Sequence, residues 1–261
     1  MRNAMRVFFY DQTFDGLLSA VFDAYTRREF PEKLLSGADC LPLLVTAAHT
    51  VATEEAKAGR VYRGLTGILS REAMEDLVAA WLSEEAGADL AVFRYIRRTF
   101  DVGKTPEHDL ADPTVFAVVR LAKRVRCELH RLLGFARFQK TAEGVYFAAL
   151  APRHNVLPLM LPHFIDRFRD QRWILYDLGR RSGVLFDAGT VHDVFLDDAT
   201  ARALAGRQGK LEEALLADNE ALFQSLWQNY FEATAIRERL NPRLQKRCMP
   251  QRYWEFMTEK Q

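Results

Sequence analysis

The sequence is poor in cysteine, and this limits the kinds of site that it can contain. Its three cysteines, Cys40, Cys127 and Cys248, lie far apart and form no CxxC pair. This spacing argues against both a zinc site built on cysteine ligands and a disulfide framework. A small, odd set of thiols is typical of a reducing compartment. We therefore expect a cytoplasmic location, and we predict no metal and no cofactor.

Long apolar runs and a strong charge imbalance are absent too. The longest apolar stretch, residues 156–165, contains two prolines and is shorter than the roughly 18 residues of a membrane span. We therefore predict no membrane partner. The chain carries 36 Lys and Arg against 35 Asp and Glu, a net charge of +1. Any binding of nucleic acid must therefore come from a local basic patch.

Familiar catalytic signatures are also missing. The sequence contains no GxGxxG, GxxxxGK(S/T), HExxH or GxSxG pattern, so it does not indicate a dinucleotide fold, a P-loop, a metalloprotease helix or a nucleophile elbow. What it does contain is 49% hydrophobic and 27% charged residues. That balance is typical of a globular protein with a sizeable core.

The order of patterns predicts a single α+β domain over residues 1–261. A strand at residues 5–10 precedes an amphipathic helix, and residues 41–112 are mostly helical and could form a sub-lobe. Ser70 and Asp112-Pro113 are typical helix starts. Residues 135–197 form a sheet-rich block, and residues 198–261 form a helical segment and a basic tail. We expect a largely antiparallel sheet with a packed helix, flanked by N-terminal and C-terminal helical segments.

Within the sheet-rich block the elements follow the order strand, strand, helix, strand, strand, strand. The helix is predicted at residues 159–169, and turn residues such as Gly144, Gly183 and Gly189 separate several of the strands. The strands are predicted at residues 135–139, 145–150, 172–177, 184–187 and 191–196.

The segment 128–138, ELHRLLGFARF, holds the densest group of chemically capable side chains. It couples a helix end to a strand start, and a compact sheet could bring it together with the segments around His163 and Asp177. Such a cleft would bind a phosphate or a base. The acid/base candidates, which are also the alternative metal ligands, are Glu128, His130, His163 and Asp177. In the structural alternative, Glu128 pairs with Arg124 or Arg131 on its own helix.

Two basic segments make nucleic acid the first partner to consider, because cations hold a polyanion and flat rings stack on bases. One is the face of the helix after Pro113, and the other is the tail after Ile236, in which Trp254 should be at least half buried. In the alternative, the arginines are simply solvated and the tail rings fill a groove. The predicted nucleic-acid-binding residues are Arg120, Lys123, Arg124, Arg131, Arg137, Arg243, Lys246, Arg247, Arg252, Tyr253 and Trp254.

Several segments match, in order, the motifs of one bacterial family. They are residues 9–25 (FYDQTFDGLLSAVFDAY), 128–138, 163–164 (HF), 173–177 (WILYD), 241–245 (NPRLQ) and 249–254 (MPQRYW). In these segments the chain resembles an uncharacterised family associated with DNA metabolism and DNA repair. The resemblance implies a gene neighbour that is a radical-SAM protein of DNA modification or repair, and a related version of the domain fused to uracil-DNA glycosylase-like proteins. It supplies no catalytic residues.

Three functional hypotheses follow. The first is a DNA-repair or DNA-modification accessory protein that binds DNA and acts with a radical-SAM partner. The second is a DNA- or nucleotide-processing enzyme that uses the Glu128, His130, His163 and Asp177 set. The third is an adaptor that binds only a protein partner. The tail should pack back on the domain, with Arg247 and Arg252 directed at the segment 128–137. The sequence leaves the oligomeric state and the form of the nucleic acid open.

Overall fold

A computed structural model describes residues 5–42 and 45–260. The chain forms two compact units, residues 1–126 and 127–261, and the boundary between them falls inside one continuous helix. The predicted single domain over 1–261 stays a prediction, because a division by compactness does not test whether the two units fold together.

The first unit combines three strands with a set of helices. The order along the chain is β1 (Met5–Tyr10), α1 (Phe14–Arg27), β2 (Lys33–Ser36), β3 (Val45–Thr50), α2 (Glu55–Thr66), α3 (Arg71–Trp81), α4 (Ala88–Val102) and the start of α5 (Pro113–Phe135). The strands form a parallel sheet in the order β2-β1-β3. Helix α1 is the crossover that two neighbouring parallel strands require.

The start of this unit follows its sequence signals. The hydroxyl of Thr13 accepts the backbone N–H of Gly16 at 2.9 Å and so caps α1. Leu17, Leu18 and Val21 on that helix are buried, as is Val7 on β1. Full burial of each larger side chain stabilises the unit by about 1.5–3 kcal/mol. Strand, turn and helix at the chain start are therefore confirmed.

Strand β3 corrects the prediction that the chain is mostly helical from residue 41. Its sequence, VTAAHT, has small and polar side chains, and most of them are exposed at the edge of the sheet. An edge strand with so little apolar alternation carries no period-2 signal. Helices α2, α3 and α4 do lie inside the predicted sub-lobe 41–112. Two predicted helix starts are confirmed: Ser70 caps α3 through the N–H of Ala73, and Asp112 caps α5 through the N–H of Thr114.

The second unit contains the predicted sheet. After the end of α5 the chain forms β4 (Gln139–Lys140), β5 (Tyr146–Leu150), α6 (Leu157–Arg167), β6 (Trp173–Asp177), β7 (Ser182–Asp187), β8 (Thr190–Val194), α7 (Asp198–Gly206), α8 (Glu220–Thr234) and α9 (Pro242–Cys248). Short 3-10 helices lie at Glu213–Leu215, Arg237–Arg239, Gln251–Phe256 and Thr258–Lys260.

The sheet of this unit is mixed rather than fully antiparallel. Its order is β4-β5-β6-β7-β8, and every neighbouring pair is antiparallel except β5 and β6. Helix α6 causes the exception, because it returns the chain to the same end of the sheet before β6 begins. The predicted order of strands and helix is confirmed. The largely antiparallel fold class is correct only in part, since one sheet is parallel and the other is mixed.

Three local predictions are wrong. The strand predicted at residues 135–139 begins only at Gln139, because α5 continues through Phe135 and β4 is the two-residue strand Gln139–Lys140. The helical run after residue 198 is interrupted between α7 and α8. Asn241-Pro242 starts a helix instead of ending one: the Asn241 side chain accepts the N–H of Leu244 at 3.0 Å, and proline fits the first turn.

The structure bears on two predictions from the sequence, the absence of a membrane-spanning helix and the absence of disulfides. Among residues 5–42 and 45–260, no helix has both the length and the apolar character needed to cross a bilayer. The three cysteines are exposed and free of disulfides.

Candidate functional site

The second unit contains an open cleft of about 750 Å³. The segment from the end of α5 to β5, helix α6, the first turns of α8 and the last residues of the chain contribute its walls. Its lining includes the aromatic residues Phe138, Tyr146, Phe164, Phe168, Phe223 and Trp227 and the basic residues Arg137, Lys140, His163 and Arg167. The combination of flat rings and cations suits a ligand with both a planar group and an anionic group.

Packed aromatic rings form one side of the cleft. The ring of Phe138 meets the edges of Phe164 and Phe168 at centroid distances of 5.4 and 5.5 Å. Phe164 is buried and also lies 6.1 Å from the ring of Trp173 on β6. Edge-to-face contacts of this kind stabilise beyond simple area burial. This side of the cleft is therefore an extension of the core and holds its shape.

Helix α8 forms the facing wall. Glu220, Phe223, Gln224 and Trp227 are spaced three or four residues apart, so they lie on one face of the helix. Phe223 remains 56% exposed and Trp227 39% exposed. Phe223 makes no ring contact with any residue that the structure describes. Its flat face is therefore open to a stacking ligand.

Two cations of the cleft have no carboxylate partner within the described part of the chain. Lys140 Nζ lies 5.8 Å from the ring centre of Tyr146, and the Arg167 guanidinium lies 5.6 Å from that of Phe168. Both are cation–π contacts, which leave the charges available to an anion. His163, on the exposed side of α6, lines the cleft beside them.

Arg137 has a different role, because its charge is already paired. Its guanidinium makes a two-pronged contact with Glu259, at 3.1 and 2.5 Å, and it also lies over the ring of Trp227. The indole N–H of Trp227 donates to the same carboxylate at 2.9 Å. Burial raises the pKa of Glu259, but the hydrogen bonds from Arg137 and Trp227 outweigh it and hold that pKa below its usual value. Arg137 therefore positions Trp227 and the chain end.

Glu128 is buried in a network next to the tail. Its carboxylate accepts the backbone N–H groups of Arg153 and His154 at 3.0 and 2.8 Å, the hydroxyl of Tyr253 at 2.5 Å and the guanidinium of Arg252 at 3.0 Å. Burial raises the pKa of Glu128, but the hydrogen bonds from Tyr253, Arg153 and His154 outweigh burial and hold that pKa below its usual value. Burial, together with the Glu128 bond, raises the pKa of Tyr253 to about 12. This network anchors the tail.

Asp177 holds the turn between β6 and β7. Its carboxylate accepts the N–H groups of Gly179 and Arg180 at 2.9 and 3.0 Å and pairs with the Arg180 guanidinium at 2.8 Å. Arg180 also donates to the carbonyl groups of Pro152 and Arg153. Glu128 and Asp177 thus hold the same loop, residues 151–156, from two directions, and both act through structural bonds.

The four acid/base candidates are therefore placed differently. His163 lines the cleft, Glu128 and Asp177 are buried in hydrogen-bond networks, and His130 is exposed on α5. Within residues 5–42 and 45–260 there is no group of three or more His, Cys, Asp or Glu side chains that could hold a metal ion.

The predicted basic face lies on α5 as expected. Arg120, Lys123 and Arg124 are exposed, and Arg124 pairs with Glu85 at 2.6 Å. Arg131, in the second unit, is partly buried.

The tail is partly free and partly docked. Arg243, Lys246 and Arg247 on or beside α9 are exposed. Arg252 turns toward Glu128 as predicted, whereas Arg247 has no hydrogen bond or ion pair with the segment 128–137 among the described residues. Tyr253 is only 1% exposed. Trp254 is partly buried, and its indole N–H donates to the Met249 carbonyl at 2.9 Å.

The sequence predicted the residues on one side of the cleft but not those on the other. Arg137, Phe138, His163, Phe164 and Arg167 belong to segments that were expected to converge. Lys140, Glu220, Phe223, Gln224 and Trp227 were not among the site residues. The spacing of Glu220, Phe223 and Trp227 at three and four residues was the available signal. The apolar side chains Leu222, Leu226 and Tyr230 on the same helix are exposed.

The chain belongs to the family described as a domain of unknown function, DUF4130, whose sequence model matches residues 86–259. The match covers about two thirds of the chain, and it includes every residue that lines the cleft. No curated protein sequence matches the chain.

Proposed function

We propose that this protein is a DNA-binding accessory protein of DNA repair or modification, which acts in the cytoplasm with a radical-SAM partner. Its nucleic-acid site is the cleft of the second unit. The repair context and the radical-SAM partner come from the motif resemblance, while the cleft supports the binding function.

One observation carries the binding function. Lys140 and Arg167 have no carboxylate partner in the described residues, and the open ring of Phe223 lies in the same cleft. Single-stranded nucleic acid is bound by this pairing of cations for the backbone with rings for the bases, and each stacked base contributes about 1–3 kcal/mol. A protein ligand would not require two unpaired cations beside an exposed ring.

The exposed cations of the tail extend the proposal. Arg243, Lys246 and Arg247 belong to the same unit as the cleft and are free to contact further phosphates. The ring of Tyr253 has no part in the proposal, because it is buried and bonded to Glu128. The enzyme alternative loses support for the same reason, since Glu128 and Asp177 are both occupied by structural bonds.

A salt series with labelled single-stranded and duplex DNA tests this function. We expect the single strand to bind more tightly, because its bases are free to stack. The Lys140→Glu, Arg167→Glu double variant should weaken binding strongly. It should also make the salt dependence shallower by about 1.4 in the slope of log K against log salt, as expected for the loss of two phosphate contacts on a single strand.

The matched control is Arg202→Glu, a charge reversal at an exposed arginine on α7 in the same unit, outside the cleft. It should change affinity and slope far less. Absence of binding at low salt, or equal losses in the double variant and the control, would overturn the proposed function.

A further inference from the structure

One side chain of the cleft has a role that neither stacking nor phosphate binding explains. Glu220 is the first residue of α8, it lines the cleft, and it is only 6% exposed. A buried carboxylate in a site for a polyanion is unfavourable unless it finds hydrogen-bond donors. Its place in the first turn of α8 favours a negative charge through the helix dipole, so the carboxylate is held at the cleft without a cation.

The carboxylate of Glu220 is only partly satisfied by the protein. One oxygen, Oε1, accepts from Gln224 Nε2 at 2.9 Å. The other oxygen has no hydrogen-bond partner, and the group forms no ion pair, within residues 5–42 and 45–260. This oxygen is not one of the fully buried unpaired atoms, so solvent or a ligand can reach it. The basic side chains of the cleft thus do not neutralise it. An ionised carboxylate accepts hydrogen bonds and donates none, so a ligand that bonds to this oxygen must be a donor.

A base stacked on the neighbouring rings would lie beside this carboxylate. Phe223 and Trp227 follow Glu220 by three and seven residues, so all three side chains lie on the same face of α8. A base stacked on the ring of Phe223 would direct one of its edges along this face. Unstacked bases held in pockets are read through hydrogen bonds to their Watson–Crick edge.

Guanine matches such a carboxylate better than the other bases do. Its Watson–Crick edge has two adjacent donors, N1–H and the N2 amino group, which can bond to the two oxygens of one carboxylate. Adenine and cytosine each present an amino group next to an acceptor nitrogen. Thymine presents one N–H between two carbonyl oxygens, which a carboxylate repels. The second amide hydrogen of Gln224 is also suited to a carbonyl oxygen such as guanine O6.

We propose that Glu220 selects guanine: the cleft takes an unstacked guanine nucleotide, with the base on Phe223 and its Watson–Crick edge on Glu220. This inference rests on the proposed binding function and adds base selectivity to it. Bidentate recognition of this kind distinguishes a correct base from a wrong one by about 5- to 150-fold.

The test compares two single-stranded probes, oligothymidine and the same oligothymidine with one guanine. The wild-type chain should bind the guanine probe at least about 5-fold more tightly. A probe with inosine in place of guanine lacks the N2 amino group and should lose most of this preference. Glu220→Gln keeps the size of the side chain and the acceptor for Gln224, but it replaces one acceptor oxygen by a donor. It should reduce the preference toward unity while binding of oligothymidine is kept or strengthened.

Phe223→Ala is the companion variant. It should weaken the binding of both probes by a similar factor, because stacking does not depend on the base. If both probes bind the wild-type chain equally, or if Glu220→Gln keeps the full guanine preference, the selectivity inference is wrong while the binding function stands. If neither probe binds, the selectivity inference and the binding function are both wrong.

Discussion

Replacing Glu128 by alanine should destabilise the second unit strongly. The substitution removes the acceptor of four hydrogen bonds, whose donors are the N–H groups of Arg153 and His154, the Tyr253 hydroxyl and the Arg252 guanidinium. Arg252 has a side chain that is 48% exposed, so water can replace its bond. His154 and Tyr253 are buried, so water cannot replace the bonds of the His154 N–H and the Tyr253 hydroxyl.

These exposures set the expected size of the effect. A buried donor left without a partner costs about 1–3 kcal/mol, and Glu128→Ala leaves two such donors, the His154 N–H and the Tyr253 hydroxyl. We therefore expect a loss of about 2–6 kcal/mol for Glu128→Ala. Glu128→Gln keeps one oxygen for the donors on Oε1 but turns an amide group toward the His154 N–H, so we expect about 1–3 kcal/mol.

Urea unfolding followed by tryptophan fluorescence measures this difference. A Trp81→Phe background restricts the signal to Trp173, Trp227 and Trp254, which all belong to the second unit. Glu143→Ala, at an exposed turn of the same unit, is the matched control and should stay within about 0.5 kcal/mol of the parent. If Glu128→Ala lies in that range as well, the buried network does not anchor the tail.

Three further outcomes follow from the same structure. The pKa values of Glu128 and Glu259 lie below the usual 4.5. The stability that these groups contribute is therefore fully present above about pH 4.5 and is lost as the pH falls through the lowered pKa. The stability of the Glu128→Gln variant should fall less steeply with decreasing pH than that of the wild-type chain. Gly183→Ala should destabilise the second unit by about 1–3 kcal/mol, because the new Cβ would lie 2.7 Å from a carbonyl oxygen of the neighbouring strand. Gly206→Ala is the control, since its Cβ would have no atom within 4 Å, and it should leave stability unchanged or raise it. Thermal unfolding measures both variants. Ser70→Ala should lower the stability of the first unit by about 1 kcal/mol, because α3 loses its cap; hydrogen exchange of the α3 amides would detect it.

The sequence predicted the elements whose signals are local. Helix starts at Ser70 and Asp112 need only a cap and a following amphipathic run, and both were correct. The edge strand Val45–Thr50 was missed because its short polar side chains give no alternation. The parallel pairing of β5 and β6 was missed because it depends on where α6 returns the chain, which is a property of packing in three dimensions.

The cleft shows the same limit. Phe138 and Phe164 come from motifs that lie close together in the chain, so their convergence could be expected. Phe223 and Trp227 come from a helix much later in the sequence, and only tertiary packing brings them to the same cleft. Glu128 shows the opposite limit: the dense motif around it suggested acid/base chemistry, whereas its bonds to Tyr253 and to the backbone of a distant loop could not be read from the sequence.

Ultraviolet cross-linking of single-stranded DNA to the full chain, with the modified peptides mapped by mass spectrometry, tests the central claim most directly. If the cleft is the nucleic-acid site, adducts should concentrate on the α8 peptide that carries Phe223 and Trp227, and Phe223→Ala should remove most of them. Adducts confined to the α5 face around Arg120, or to the tail around Arg247, with none on α8, would contradict the account.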